Sequence, residues 1–164
     1  MTDSEQTLAR QVIRDPVHIL AFGLGTGLSP LAPGTVGSLL GVLLAWLTLD
    51  LGQMMQIGCA TLLFVSGIWI CGESARRLGI HDHGGIVWDE IAGMYVTLLA
   101  APLTPTGWIL AFLLFRAFDI VKPWPIRDLD HRLGGGLGIM LDDLAAALYA
   151  AILLALYGWL MTQT

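Results

Sequence analysis

Charge is scarce in this chain: Asp, Glu, Lys and Arg make up 13% of its 164 residues, about half the share in an ordinary soluble domain. Eight Lys and Arg against thirteen Asp and Glu leave a formal net charge of −5. That balance excludes the basic stripe or patch by which a protein holds DNA or RNA. Cysteine is nearly absent. Cys59 and Cys71 share one apolar stretch, and on a helix rising 1.5 Å per residue they would stand roughly 18 Å apart, beyond disulfide reach. No apolar run precedes Pro16, so a cleavable signal peptide is not expected. Low-complexity sequence is confined to Gly134, Gly135 and Gly136, which read as a flexible loop.

Apolar residues, in contrast, make up 55% of the chain and its mean hydropathy is +0.73. A soluble fold of this size could not hide that much apolar surface. The composition points to an all-α polytopic membrane bundle, a single domain over residues 1–164 with 1–15 as a flexible N-terminal segment. Apolar runs punctuated by Gly, Pro and polar residues predict five helices: Val36 to Leu49, Met54 to Arg77, Val87 to Ala101, Thr106 to Asp119 and Asp142 to Met161. The first, third and fourth fall short of the roughly 20 residues that span a bilayer, so tilted or re-entrant paths are expected. Asp142 and Asp143 stand where N-cap residues would open the last helix.

Positive charge orients the bundle. Arg10 and Arg14 precede the first run, Arg76 and Arg77 end the second, and Arg116, Lys122, Arg127 and Arg132 lie around the connection from the fourth to the fifth. Five crossings with a cytoplasmic N-terminus put all eight on the cytoplasmic side. The same topology collects Glu73, Asp82, Asp89, Glu90, Asp119, Asp142 and Asp143 there and leaves Asp50 on the far side.

Within that acidic set, Asp89 and Glu90 open an apolar helix in VWDEIAGMYV. Carboxylates there are costly unless paired, metal-bound or facing a wet cavity. As metal ligands, or ligand and general base, they would carry chemistry; as N-terminal acids they would merely complement the helix macrodipole. Asp119 has Arg116 and Lys122 three residues to either side, either as an interfacial ion-pair ladder or as a ligand flanked by cations for phosphate oxygens. Asp142 and Asp143 supply two further carboxylates. Hard oxygen donors without a Cys or His cluster favour Mg2+ or Mn2+ over zinc. The segment GLGTGLSPLAPGTVGSLLG has the glycines and hydroxyls of a phosphate cradle but matches neither the P-loop nor the dinucleotide fingerprint. A tight membrane re-entry turn explains it equally. His83 beside Asp82 is either an accessory proton carrier or a solvated loop histidine, and Glu73 either joins the acids or pairs with Arg76 or Arg77.

Three blocks, GTGLSPLAPGTVGSLLG from Gly25, DHGGIVWDEIAGM from Asp82 to Met94, and FRAFDIVKPWPIRDLD continuing through GGLGIMLDDLAAA to Ala147, resemble the phosphatidylglycerophosphatase A family of bacterial membrane phosphatases. The resemblance implies Mg2+-dependent hydrolysis of the phospholipid phosphatidylglycerophosphate to phosphatidylglycerol and inorganic phosphate, in the inner membrane with the site facing the cytoplasm. It implies catalytic roles for Asp89, Glu90, Asp119 and Asp143, metal ligation by these and Asp142, and phosphate binding by Arg116 and Lys122. Ser29, Thr35 and Ser38 fall in its N-terminal block and are expected to join the phosphate-binding set. Ala147 departs from the family, which usually has glycine there. The histidine-nucleophile PSGH pattern and the spaced aspartates of CDP-alcohol transferases are both absent. The rival reading is a transporter or channel using the acids as an ion site. A homo-oligomer covering polar surface is a further expectation.

Overall fold

The computed structural model describes residues 3–80, 83–124 and 134–161, and among them every regular element is helical. Two short helices, α1 (Asp3–Arg14) and α2 (Pro16–Ala21), lead into a 3-10 segment, Gly23–Leu28. A bundle follows: α3 (Pro33–Leu47), α4 (Gln53–Leu78), α5 (Trp88–Leu99), α6 (Pro105–Val121) and α7 (Gly135–Met161). Local chemistry sets the starts. Asp15 accepts from the Val17 N–H ahead of Pro16, and Thr104 accepts from the Gly107 N–H ahead of Pro105. Each combines an N-cap oxygen with a proline whose missing N–H costs nothing at the first helical position. Gly79, at φ 68°, closes α4 in the left-handed conformation that favours glycine.

The five helices expected from the sequence are all present, with one substantive shift. The last begins at Gly135, so Asp142 and Asp143 lie about two turns inside α7 rather than capping it. Gly135 and Gly136, read as loop, are its first residues. Gly136 packs against the Ile68 carbonyl and the Gly72 backbone of α4, leaving no room for a Cβ. Two helices, α4 and α7, are long and apolar enough to cross a bilayer, and α3 is a shorter apolar helix. Against the expectation of five crossings, two helices of spanning length are found among the described residues.

α5 is the central element, packed on α3, α4, α6 and α7. Along α3, Gly34, Gly37 and Gly41 are buried. A Cβ at Gly37 or Gly41 would lie 2.7 Å from Val87 or the Ile91 carbonyl of the α5 segment. This small-residue stripe lets the two helices approach at backbone distance. Beyond it the core is apolar, built from Met94, Tyr95, Leu98, Phe115, Ala146, Ala147 and Leu154. The Tyr95 hydroxyl is matched by Thr48 Oγ1 at 2.9 Å. Ala147 is fully buried in that cluster.

α1, α2 and the 3-10 segment form a cap on one end of the bundle. Val12 of α1 and Phe22 after α2 are buried, His18 Nδ1 and Ser74 Oγ are 2.8 Å apart, and the Val87 N–H donates to the Ala21 carbonyl. Arg77 Nη1 donates to Asp15 Oδ2 at 2.6 Å, and this bond holds the Asp15 carboxyl below its ordinary pKa. Among the described residues the cap end carries every Lys and Arg, while Asp50 lies in the turn after α3 at the other end.

Candidate metal centre

The cap end of the bundle brings together the first turn of α5, the last turns of α6 and the interior of α7. Asp89, Glu90, Asp119, Lys122, Asp142 and Asp143 line a polar cavity of about 110 Å³. Asp89, Asp142 and Asp143 are buried. Each of Asp89, Glu90 and Asp143 offers a carboxylate oxygen within 4.8 Å of the others'. α5 is held in register for this by Trp88, whose Nε1 donates to the Leu63 carbonyl of α4 at 3.0 Å. It is held also by Gly93, which packs against Phe115 and the Asp143 carbonyl.

The two cations reach the acids differently. Arg116, one helical turn before Asp119, donates Nη1 to Asp119 Oδ2 and stands 4.0 Å from Glu90 Oε1. Lys122 follows the end of α6 with φ 43°, a left-handed conformation rare for a side chain with a Cβ. From there Nζ donates to Asp142 Oδ2 on α7, a partner twenty residues away that the spacing around Asp119 did not signal. Asp142 Oδ1 in turn accepts from the Asp143 N–H.

Among the described residues, five carboxylates face Arg116 and Lys122 at low dielectric, a formal excess of three negative charges that calls for further positive charge or protons. Glu90 Oε2 and Asp143 Oδ2 are buried with no hydrogen-bond partner among the described residues, as is Arg116 Nε. Carboxylate oxygens left open beside one another, without thiolate or imidazole, fit a hard divalent cation.

The hydroxyls of the N-terminal block do not line the acid cavity. Ser38 Oγ is buried and donates to the Gly34 carbonyl one turn back. Ser29 Oγ donates to the Leu31 carbonyl, and Thr35 is half-buried in the first turn of α3, its N–H on the Ala32 carbonyl. The block approaches the site instead through Gly34, where a Cβ would collide with the Glu90 carboxylate and sit 3.1 Å from Arg116 Nη1. The sequence reading missed this role because glycine signals its contacts only by what cannot replace it. Glu73 stays apart, bonded to Arg76 and Arg77 at 2.7–2.8 Å. His83 Nδ1 accepts from the Gly85 N–H and its ring leans on Phe22. Asp82 lies outside the described residues.

Apolar helices enclosing an acidic, cation-flanked cavity at one end define a helical-bundle protein with a buried carboxylate centre. No solved structure matches the chain. Its residues 19–157 match the family model described as Phosphatidylglycerophosphatase A, and the chain belongs to that family of lipid phosphatases. It is 46% identical over 150 residues to the phosphatidylglycerophosphatase A of Haemophilus influenzae, covering 90% of this chain and 92% of that one. It is 42% identical over 151 residues to that of Escherichia coli, covering 92% and 88%.

Proposed function

We propose that this protein hydrolyses phosphatidylglycerophosphate to phosphatidylglycerol and inorganic phosphate at the cytoplasmic face of the inner membrane, using Mg2+. The observation that carries the reading is the cluster of Asp89, Glu90 and Asp143 oxygens beside Arg116, in a chain closely related to phosphatidylglycerophosphatases. The cation-rich end of the bundle supports the cytoplasmic assignment.

Asp89, Glu90 and Asp143 would hold the ion. Bound there, it supplies Lewis-acid polarisation of the phosphoryl group. The remaining steps belong to side chains. Arg116 carries a buried Nε without a partner among the described residues, and its planar fork suits the equatorial phosphoryl oxygens. Asp119 fixes that fork from one turn along the helix. Lys122, held by Asp142, adds a second positive charge on the same wall and balances charge as the ester bond to glycerol breaks. A carboxylate of the α5 pair orients the attacking water. The water oxygen ends on phosphate and its proton is available to the departing alkoxide, giving inorganic phosphate and the free glycerol hydroxyl. Against a transport pathway, the bundle beyond the acids is filled by Met94, Leu98, Phe115 and Leu154, whereas a conduction path keeps polar groups at the midplane.

The test is phosphate release from phosphatidylglycerophosphate by the purified protein in detergent, with Mg2+ or with EDTA, beside Asp89→Asn. Release that needs Mg2+ and is lost in the variant supports the reading. No release with Mg2+ from the wild type, or undiminished release by the variant, sinks it.

A further inference from the structure

A second cavity adjoins the acid site and has a different character. It is a mostly apolar groove of about 780 Å³ whose walls include Leu8 and Ala9 of α1, Leu28 and Pro30 after the 3-10 segment, and His83 and Gly84 before α5. Gly84 also lines the acid cavity. The two spaces therefore share a wall residue. A Cβ at Gly84 would meet nothing within 4 Å among the described residues, so a side chain could be added at this shared position.

Size separates their capacities. The acid cavity, at about 110 Å³, has room for little beyond a phosphoryl group and a cation. The groove falls in the range of ordinary small-molecule sites, roughly 300–1,000 Å³. A phospholipid that places its terminal phosphate among Asp89, Glu90 and Arg116 must lead the rest of its covalent chain out through a neighbouring space. That remainder is chiefly apolar.

The cap around the groove also presents apolar residues outward. Leu31, next to the groove-lining Pro30, is 80% exposed, and Leu24 in the 3-10 segment is 69% exposed. On the outer side of α1, Ile13 is 67% exposed, although that helix is otherwise rich in charge and amide residues. Apolar side chains projecting from an amphipathic cap are suited to the boundary between headgroups and acyl chains. The groove thus has acids at one edge and a lipid-seeking surface around it.

We propose that this groove is the diacylglycerol subsite of the enzyme: it seats the glycerol backbone and first acyl methylenes of the phospholipid whose terminal phosphate is hydrolysed. The inference rests on the phosphatase reading and adds how the lipid is held. Leu8, Ala9 and Leu28 grip the methylenes. His83, whose Nδ1 is held by the Gly85 N–H, presents the rest of its ring at the wall for the ester and phosphodiester region. α1, packed on α2 and the 3-10 segment, makes the outer wall of a lipid site.

The experiment compares the full-length protein on phosphatidylglycerophosphate in mixed micelles and on its deacylated, water-soluble headgroup counterpart, each with Mg2+. Ala9→Trp fills the groove from a helix surface, and Gly84→Leu narrows its junction with the acid cavity. Expelling about two methylenes corresponds to roughly tenfold in binding. Both variants should therefore lower the ratio of kcat/KM for the lipid to kcat/KM for the deacylated substrate about tenfold. An unchanged ratio in both overturns the proposal. Independently of turnover, a phosphatidylglycerophosphate analogue with a diazirine near its glycerol should label residues 8–9 or 28–30 of the wild type in phosphatidylglycerol vesicles. Labelling confined to the outer faces of α3, α6 and α7 overturns it. Wild-type protein that hydrolyses neither substrate sinks the phosphatase reading, while the labelling still reads the groove.

Discussion

Lys122 and Asp142 meet across the end of two helices: the lysine Nζ, projecting from the left-handed residue after α6, donates to the carboxylate of an aspartate two turns into α7. Asp142 is only 5% exposed, so the pair joins a buried anion to a strained backbone position. Strain of that kind persists where the surroundings over-determine it, and it gathers at functional sites.

Lys122→Ala should lower kcat/KM on phosphatidylglycerophosphate by on the order of 100-fold, the usual cost of losing one group that stabilises transition-state charge. Steady-state phosphate release checks this. Lys122→Arg restores the charge but not the compact geometry and should recover only part of the loss. Wild-type kinetics in the alanine variant would remove Lys122 from the reaction.

Asp143→Asn should raise the Mg2+ concentration for half-maximal activity at least tenfold, because it exchanges a charged ligand for a neutral one within the carboxylate cluster. Activity measured across a Mg2+ titration reads the shift. A lower maximal rate with an unmoved midpoint would assign Asp143 to chemistry rather than to ion binding.

Gly34→Ala tests how closely α3 must approach the acids. Its methyl group would collide with the Glu90 carboxylate, and overpacking of this kind costs about 1–3 kcal/mol. Turnover should fall at least tenfold. Gly58→Ala, on α4 where a Cβ meets nothing within 4 Å, should leave activity and thermal stability near wild type.

The Asp15–Arg77 bond predicts an acid-side stability loss. Its folded-state carboxyl pKa is lowered, first by the Arg77 hydrogen bond. The contribution is therefore complete above the ordinary carboxyl value of about 3.9 and disappears as pH falls through the depressed one. Thermal unfolding in detergent should show wild type more stable than Asp15→Asn at pH 6, with the gap closing below about pH 4. A gap that widens towards acid would contradict the assigned direction.

Much of this was readable from apolar runs and acids alone. All five bundle helices follow from hydrophobic runs with Gly and Pro punctuation, and Asp89, Glu90, Asp119, Asp142 and Asp143 do line one cavity. What escaped the reading depends on contacts between distant segments. Gly136 has the composition of a loop residue, yet it sits in the first turn of α7, where α4 offers a backbone surface at Gly72 that only glycine can meet, and Gly135 opens that turn at φ 73°. Ser29 and Ser38 looked like phosphate ligands, but their hydroxyls are taken by carbonyls two and four residues away, local bonds for which serine is always a candidate. The α1–α2 cap was hidden because 1–15 is polar in composition. Only its one-sided placement of Leu8 and Val12 against the core gives it a packing face.

The backbone contact of Gly136 on Gly72 serves as an index mark for the acid-bearing end of α7. Asp143 lies seven residues further on, close to two full turns, so the direction of its carboxylate is read off from a contact some 10 Å away along the axis. Adding one residue between the two would swing Asp143 by about 100° while leaving hydrophobic content and helix propensity almost untouched. Sequence drift along that stretch is thus free in side-chain identity on the lipid side but closed to any change in length.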